Sequence, residues 1–253
     1  MIIDTHTHLY DEKFDEDRLE SIQNAIDTGV HKMVMPNCDS STIAGMLQVE
    51  HDFPNHCFAM MGLHPCYVKE NVDDELAIVR DWLEKRKFAA VGEIGLDYYW
   101  DKTFIEAQKK AFRLQMEWAI EFNLPIVIHN REATKDSIDL VREYVSKGIR
   151  GVFHCFSGRY ETAMQIIDLG FYIGVGGVLT YKNAGLQEVV QKIDLQHIVL
   201  ETDAPYLTPT PFRGKRNESA YIQYVAQKLA ELKSISVEEV EKITSLNAIQ
   251  LFP

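Results

Sequence analysis

The chain has 253 residues, with 26 Lys and Arg against 38 Asp and Glu, so its formal net charge is −12. No stretch approaches the roughly 20 apolar residues that a membrane helix needs, and the start MIIDTHTH lacks the basic and apolar regions of a signal peptide. Broad binding along duplex DNA is disfavoured, because such proteins normally present a net basic face. We therefore expect a cytoplasmic protein that does not associate with membranes.

Short apolar, β-branched runs alternate with helical patterns along the whole chain. Strands are predicted at residues 1–6, 32–35, 57–61, 89–94, 126–129, 151–153, 171–174 and 198–201. Helices are predicted at about 15–28, 72–86, 104–123, 134–147, 160–169, 185–193, 218–232 and 237–246. Alternation of eight strands with helices predicts the α/β class and, within it, a TIM (β/α)₈ barrel.

The length is ordinary for one such barrel and suffices to bury most of the apolar surface that the unfolded chain exposes. There is no low-complexity linker and no internal repeat, so we predict a single TIM-barrel domain over residues 1–253. The four cysteines form no CxxC pair, which favours reduced thiols over disulfides at Cys38, Cys57, Cys66 and Cys155.

Residues that can bind metal follow five of the strand-like runs, just before a loop. They are His6 and His8 in IIDTHTH, Glu93 in VGEIGLD, His129 in IVIHNR, His154 in VFHCFSG and Asp203 in IVLETDAP. The carboxyl ends of all eight strands meet at one face of a TIM barrel, where its chemistry takes place. The sequence therefore predicts a metal site at that face.

His6 and His8 are two residues apart, so in a strand their side chains lie on the same face and can bind one ion. We expect Asp4 to orient one of these rings by a hydrogen bond. Glu93 is the carboxylate best placed to bridge two ions, and Asp203 can ligate a metal and also hold or deprotonate a water. Glu201 lies on the same strand face as Asp203, where it either supports a ligand or is satisfied within the core.

The motifs DTHTHL, GLHP, VGEIGLDYY, IHNREA, HCFSG, ETDAPYL, FRGKRNES and LNAIQLF resemble the TatD family of metal-dependent deoxyribonucleases. They occur in the family's order and cover essentially the whole chain. The resemblance implies an amidohydrolase-like TIM barrel with two divalent ions, which hydrolyses DNA phosphodiesters and in some members acts as a 3′ to 5′ exonuclease. The implied ligands are His6, His8 and Asp203 for one ion, His129 and His154 for the other, and Glu93 for both.

The expected reaction is in-line attack of an activated water on a phosphodiester, with Asp203 and Glu93 as the catalytic residues. Four histidines suit Zn²⁺, Mn²⁺ or Ni²⁺ better than Mg²⁺, although Mg²⁺ in excess can still support activity. DNA ends or single-stranded DNA are the expected substrates. The acidic surface does not exclude them, because metal ions and a few local cations can outweigh a distant acidic surface. Nothing in the sequence points to an obligate protein partner.

Several further side chains are candidates for contacts with substrate phosphates. They are His64, Arg131, Arg213, Lys215 and Arg216. Each arginine or lysine could equally be a solvated surface charge, and His64 could only cap a turn before Pro65. Where the family commonly reads RNEP, this chain reads RNES at 216–219, which leaves the conformation of that loop open.

Two other classes of function remain as alternatives. The first is hydrolysis of another bond, such as the amide or lactone bonds cleaved by related barrels, or the ester that joins an amino acid to tRNA. Amide-cleaving barrels often bridge their metals with a carboxylated lysine, and no lysine takes the place of Glu93 here, so phosphodiester chemistry is favoured. The second is a non-catalytic metal or nucleic-acid binding module, which the intact ligand set argues against.

Overall fold

The computed structural model describes residues 1–252 and contains eight parallel strands. The last residue of the predicted domain, 253, lies outside the described range. The strands are β1 (Ile2–Asp4), β2 (Val30–Met35), β3 (Cys57–Ala59), β4 (Val91–Asp97), β5 (Ile126–Arg131), β6 (Gly151–Phe153), β7 (Tyr172–Val175) and β8 (Ile198–Leu200). All eight lie at the predicted positions, with ends that shift by a few residues.

Two hydrogen-bonded arcs, β1-β2-β3 and β4-β5-β6-β7-β8, form the wall of the barrel. A parallel bridge between Met61 and Val91 joins the arcs on one side, and a bridge between Thr7 and Ala204 joins them on the other. The strands therefore close into a cylinder. The predicted TIM barrel is confirmed.

The strands are apolar on both faces, as expected for a parallel sheet with helices outside and packed side chains inside. In β2, Val34 belongs to the smaller, inner cluster, whereas its neighbours Met33 and Met35 pack in the larger cluster. The same alternation places Val127 of β5 inside. The inner cluster also includes Phe252 and the end of the last helix, which close the barrel at the end opposite the strand carboxyl termini.

Nine α-helices surround the strands within residues 1–252. They are α1 (Arg18–Asp27), α2 (Ile43–Asp52), α3 (Val72–Lys85), α4 (Ile105–Glu121), α5 (Thr134–Arg142), α6 (Tyr160–Asp168), α7 (Leu186–Lys192), α8 (Ile222–Lys233) and α9 (Val237–Leu251). Eight of them were predicted. No helix within residues 1–252 is long and apolar enough to cross a membrane.

Helix α2 was missed in the sequence. It begins without a side-chain cap and carries Gly45 in its first turn, both of which weaken the local helix signal. Its buried residues Ile43, Met46 and Val49 recur at intervals of three. Packing of this face against the barrel stabilises the helix more than its intrinsic propensity does.

Two buried glutamines on α4 fix the ends of neighbouring strands. The amide of Gln108 accepts from the backbone N–H of Asp97 at 2.9 Å and donates to its carbonyl at 3.1 Å. About two turns further along the same face of α4, Gln115 makes the same pair of bonds to Leu63, at 2.7 and 3.3 Å. Each glutamine replaces hydrogen bonds that the ending strand can no longer make, so the backbone beside the site is held in place.

Gly95 is a position in the barrel wall where a side chain does not fit. Its φ is +140°, and a Cβ there would overlap the carbonyl oxygen of His129 on β5. Gly95→Ala should therefore destabilise the protein by more than the roughly 1–2 kcal/mol of a left-handed conformation alone. Gly148→Ala, with φ +88° and open space around the Cβ, is the matched control. Urea unfolding of both variants measures the difference in their free energies of unfolding. Equal losses of stability would show that the overlap with β5 adds no cost.

Candidate metal centre

The six residues predicted as ligands all lie at the carboxyl end of the barrel. His6 and His8 follow β1, His154 follows β6 and Asp203 follows β8, while Glu93 and His129 lie within β4 and β5. All six are largely shielded from solvent, with the carboxylate of Glu93 only 2% exposed. The barrel thus brings together side chains that are up to about two hundred positions apart in the chain.

One group of donor atoms forms a compact cage beside β1. His6 Nε2 lies 3.3 Å from His8 Nε2 and 3.2 Å from Glu93 Oε2. Asp203 Oδ1 lies 3.7 Å from His6 Nε2 and 3.5 Å from His8 Nε2. Four ligands at about 2.1 Å from a tetrahedral ion would be about 3.4 Å apart. The observed spacing fits a metal ion at the centre of this group.

The other oxygen of Glu93 faces a second group. Glu93 Oε1 lies 2.7 Å from His154 Nε2, 2.9 Å from His129 Nδ1 and 3.3 Å from His64 Nε2. The carboxylate therefore has one oxygen in each group, which is the arrangement of a bridge between two neighbouring ions.

The chemistry of the cage also fits a cation. At most one proton can lie between the Nε2 atoms of His6 and His8, and His6 Nδ1 has no hydrogen-bond partner. Burial, together with the charge of His154, lowers the pKa of His6 and favours the neutral ring that ligates metals. Burial would raise the pKa of Glu93, yet the surrounding imidazoles hold it well below its usual range. Buried carboxylates that stay ionised among imidazole nitrogens form a site for a positive ion.

Asp97 supports the second group and was not singled out in the sequence. Its Oδ2 lies 2.9 Å from His129 Nε2, on the side of the ring opposite the Nδ1 that faces Glu93. The signal was present in GEIGLD, because Asp97 is four positions after Glu93 and so lies on the same face of β4.

Glu201 lies behind His154 and is bonded to the backbone there. It is 1% exposed, accepts from the backbone N–H of Cys155 at 2.5 Å, and has Oε1 at 3.7 Å from His154 Nδ1. His154 Nδ1 has no hydrogen-bond partner, so Glu201 packs behind the ring without a bond to it.

The expectation for Asp4 was wrong. Its carboxylate accepts from the backbone N–H of His6 at 3.3 Å, and from the N–H and hydroxyl of Thr202 at 2.9 and 2.6 Å. It contacts no imidazole ring. Asp4 instead joins the end of β1 to the end of β8, because the backbone turns there and leaves N–H groups that need an acceptor.

His64 caps the turn before Pro65, and its ring also lies beside the second group of donors. Its Nδ1 accepts from the backbone N–H of Cys66 at 3.0 Å and so caps the turn that begins at Pro65. A neutral ring that accepts at Nδ1 carries its proton on Nε2. This N–H points at Glu93 and at His129 Nδ1, which is 3.2 Å away.

The four cations have different environments. The guanidinium of Arg131 lies 3.7 Å from the centroid of the Tyr99 ring, and that of Arg213 lies 4.2 Å from Tyr181. Lys215 approaches only an aromatic ring, with Nζ 5.8 Å from the centroid of Phe212. Arg216 differs from these three.

Arg216 is engaged in a structural ion pair. Both of its terminal nitrogens contact the carboxylate of Asp17, at 2.6 and 2.7 Å, and one also contacts Glu218. Its charge is therefore already paired with carboxylates of the protein. Next to it, Asn217 donates to the carbonyls of Thr202 and Tyr206 at 2.8 and 2.7 Å, which shapes the loop around Asp203.

Serine stands at position 219, where the family commonly has a proline. Ser219 begins a short 3₁₀ turn, Ser219–Tyr221, and its hydroxyl donates to Thr7 Oγ1 at 3.1 Å. The loop after β8 is thereby tied to the segment that carries His6 and His8.

The chain matches a known protein family over almost its whole length. The model of a family described as TatD related DNase matches residues 3–253. The chain belongs to this family. It is 42% identical to a metal-dependent hydrolase of Bacillus subtilis, YabD, over all of this chain and 99% of the relative. It is 32% identical to YcfH of Escherichia coli K12, also named a metal-dependent hydrolase, over 99% of this chain and 95% of the relative.

Solved structures agree with this assignment. The TatD homologue YjjV of E. coli K12 superposes with a TM-score of 0.93 at 31% identity, covering 99% of this chain and 97% of that one. A TatD family hydrolase of Entamoeba histolytica gives 0.84 at 25% identity, with the same coverage. An amidohydrolase of Saccharomyces cerevisiae shares the fold, with a TM-score of 0.86 at 18% identity over 99% of both chains.

Metal content tests the two groups of ligands separately. After reconstitution, elemental analysis should find about two divalent ions per chain, and Glu93→Ala should lose both because each group uses one of its oxygens. Asp97→Asn should keep the first ion and weaken the second by about ten- to a hundredfold, the usual effect of losing a ligand's supporting carboxylate. Glu241→Ala on α9, which pairs only with the amino terminus, is the control. A protein that binds no metal at micromolar supply would contradict the assignment.

Proposed function

We propose that this TatD family protein is a metal-dependent hydrolase that cleaves DNA phosphodiester bonds. The observation that carries the proposal is the bridging position of Glu93, with one oxygen in each of two adjacent groups of nitrogen and oxygen donors. Membership of a family described as TatD related DNase supports the choice of substrate. Relatives named metal-dependent hydrolases support the reaction class.

The donor set indicates which ions would bind. His6, His8, Asp203 and one oxygen of Glu93 would hold the first ion, and the other oxygen would hold the second together with His129 and His154. Four imidazole nitrogens suit Zn²⁺, Mn²⁺ or Ni²⁺ better than Mg²⁺. Ions bound there would lower the pKa of water and withdraw charge from a phosphoryl oxygen.

Asp203 is the residue best placed to take a proton from the attacking water. Its side chain is 15% exposed, against 2% for Glu93, so it reaches the open mouth of the barrel. Burial would raise its pKa, but the hydrogen bond and charge of His8 lower it. The carboxylate therefore stays ionised and able to accept. Its φ of +56° is a strained conformation of the kind found at functional sites.

His64 complements this role as a donor. Its Nε2–H is fixed by the cap at Nδ1 and points toward the second group of ligands. A phosphoryl or leaving oxygen located there would accept this hydrogen bond, which gains strength as negative charge develops on the oxygen. His64 thus orients the substrate without acting as a ligand itself.

The charge distribution favours a substrate that presents few phosphates. The net charge of −12 opposes binding along a duplex, while Arg131 and Arg213 remain available beside the barrel mouth. An intact duplex about 20 Å wide is also broader than a typical ligand pocket. Single strands and strand ends fit both constraints.

Asp203→Asn separates catalysis from binding. The amide keeps the size of the side chain but cannot accept a proton, so turnover should fall about a hundredfold or more while substrate affinity stays within a few-fold. Steady-state kinetics on single-stranded DNA, with affinity measured in parallel by fluorescence anisotropy, checks this. If excess metal restores full turnover, Asp203 is only a ligand and the role in proton transfer is refuted.

A panel of substrates tests the reaction itself. The metal-reconstituted protein should cleave linear single-stranded DNA faster than a duplex, and faster than a covalently closed circle of the same sequence, because the scissile phosphate must enter the barrel mouth. RNA and an aminoacyl ester are assayed beside them under the same conditions. Equal rates on the circle would exclude an exonuclease and leave an endonuclease. Cleavage of the aminoacyl ester alone would overturn the phosphodiesterase proposal.

A further inference from the structure

An exposed group of aromatic side chains lies beside the candidate metal centre. Tyr99 and Trp100 follow β4 and are 47% and 68% exposed, the latter being the most exposed large apolar side chain in the described part of the chain. Their rings meet edge to face with centroids 4.9 Å apart. Together with Arg131 at the end of β5, these residues are called the aromatic platform below. Exposed clusters of this kind commonly mark binding sites.

Arg131 restrains the platform and gives it a positive charge. Its guanidinium carbon lies 3.7 Å from the centroid of Tyr99 and 5.3 Å from that of Trp100. Its backbone carbonyl accepts from the N–H of Tyr98 at 2.9 Å, and the hydroxyl of Tyr98 donates to Asp136 at 2.9 Å. The rings are therefore presented on an anchored loop.

Asp97 fixes the position of the aromatic platform relative to the candidate metal centre. Its Oδ1 accepts from the backbone N–H groups of Tyr99 and Trp100, at 2.9 and 3.0 Å, while its Oδ2 holds His129 at 2.9 Å. One carboxylate thus connects the aromatic loop to a predicted metal ligand. The backbone of Asp97 is fixed in turn by Gln108.

From this geometry we infer that the aromatic platform stacks an unpaired nucleobase of the strand whose phosphate lies at the metal centre. The inference rests on the proposed nuclease function. Every base has a π-face, so stacking on exposed rings binds single strands with little sequence preference. Arg131 adds a cation close to the neighbouring phosphate and to the stacked base. A base within a duplex already stacks on both faces, so the platform selects frayed ends and single strands.

Fluorescence tests the contact without requiring turnover. A thymidine oligonucleotide of about eight residues should quench the emission of the wild-type protein, because a base stacked on Trp100 is in direct contact with the indole. Trp100→Phe should lose most of this quenching, and Trp82→Phe, on the outer helix α3, should retain it. The inference is overturned if Trp100→Phe and the wild type are quenched equally.

Kinetics then separate this inference from the proposed function. For Trp100→Ala and Tyr99→Ala, the ratio of kcat/KM on single-stranded DNA to kcat/KM on bis(4-nitrophenyl) phosphate, which has no base, should fall about five- to a hundredfold. A single abasic nucleotide at the stacked position should lower wild-type cleavage by a similar factor. When the abasic substrate is combined with either substitution, cleavage should fall no further than with one change alone.

The two hypotheses fail in different ways. Equal losses on DNA and on the small diester would show that the loop only supports the metal centre, which contradicts the platform and leaves the nuclease intact. If the wild type cleaves neither compound, the proposed function is wrong. If the oligonucleotide still quenches the fluorescence in that case, the protein binds single strands without hydrolysing them. That result would contradict the inference that the platform positions a strand for cleavage.

Discussion

One buried carboxylate, held between two sets of imidazoles, is the constraint on which the rest of this structure depends. Glu93 places a negative charge where only 2% of its side chain reaches solvent, and burial of a charge is costly unless it is paired. His6 meets one of its oxygens and His154 the other. The charge is tolerated because the barrel brings donors from both ends of the chain to the same place.

Rigid support for this centre comes from hydrogen bonds made by residues that lie behind the predicted ligands. Gln108 holds the backbone of Asp97, and the carboxylate of Asp97 holds His129. Gln115 does the same for Leu63, the residue before His64. A site with fixed ligands needs such a supporting layer, since small displacements of the ligands weaken metal binding. The same layer fixes the loop that exposes aromatic rings to solvent.

Much of the fold was predictable because its signals are local. Alternating apolar runs and helical patterns identified all eight strands and eight of the nine helices, and the position of each candidate ligand at a strand end followed from the same patterns. Helix α2 was missed because Gly45 and the absence of a cap weaken its local signal, although Ile43, Met46 and Val49 form an apolar face. Its stability comes from tertiary packing, which no short window of sequence contains.

The sequence by itself determined the order of the elements, the barrel class and the residue types available at the mouth, because these depend on patterns within a few turns of chain. Only the tertiary structure decided which side chains meet. Asp4 was expected beside an imidazole but bonds Thr202, and Arg216 was a candidate for phosphate contact but pairs with Asp17. Such partners are far apart in sequence, and their contacts depend on loop conformation and strand register, which are set when the barrel closes.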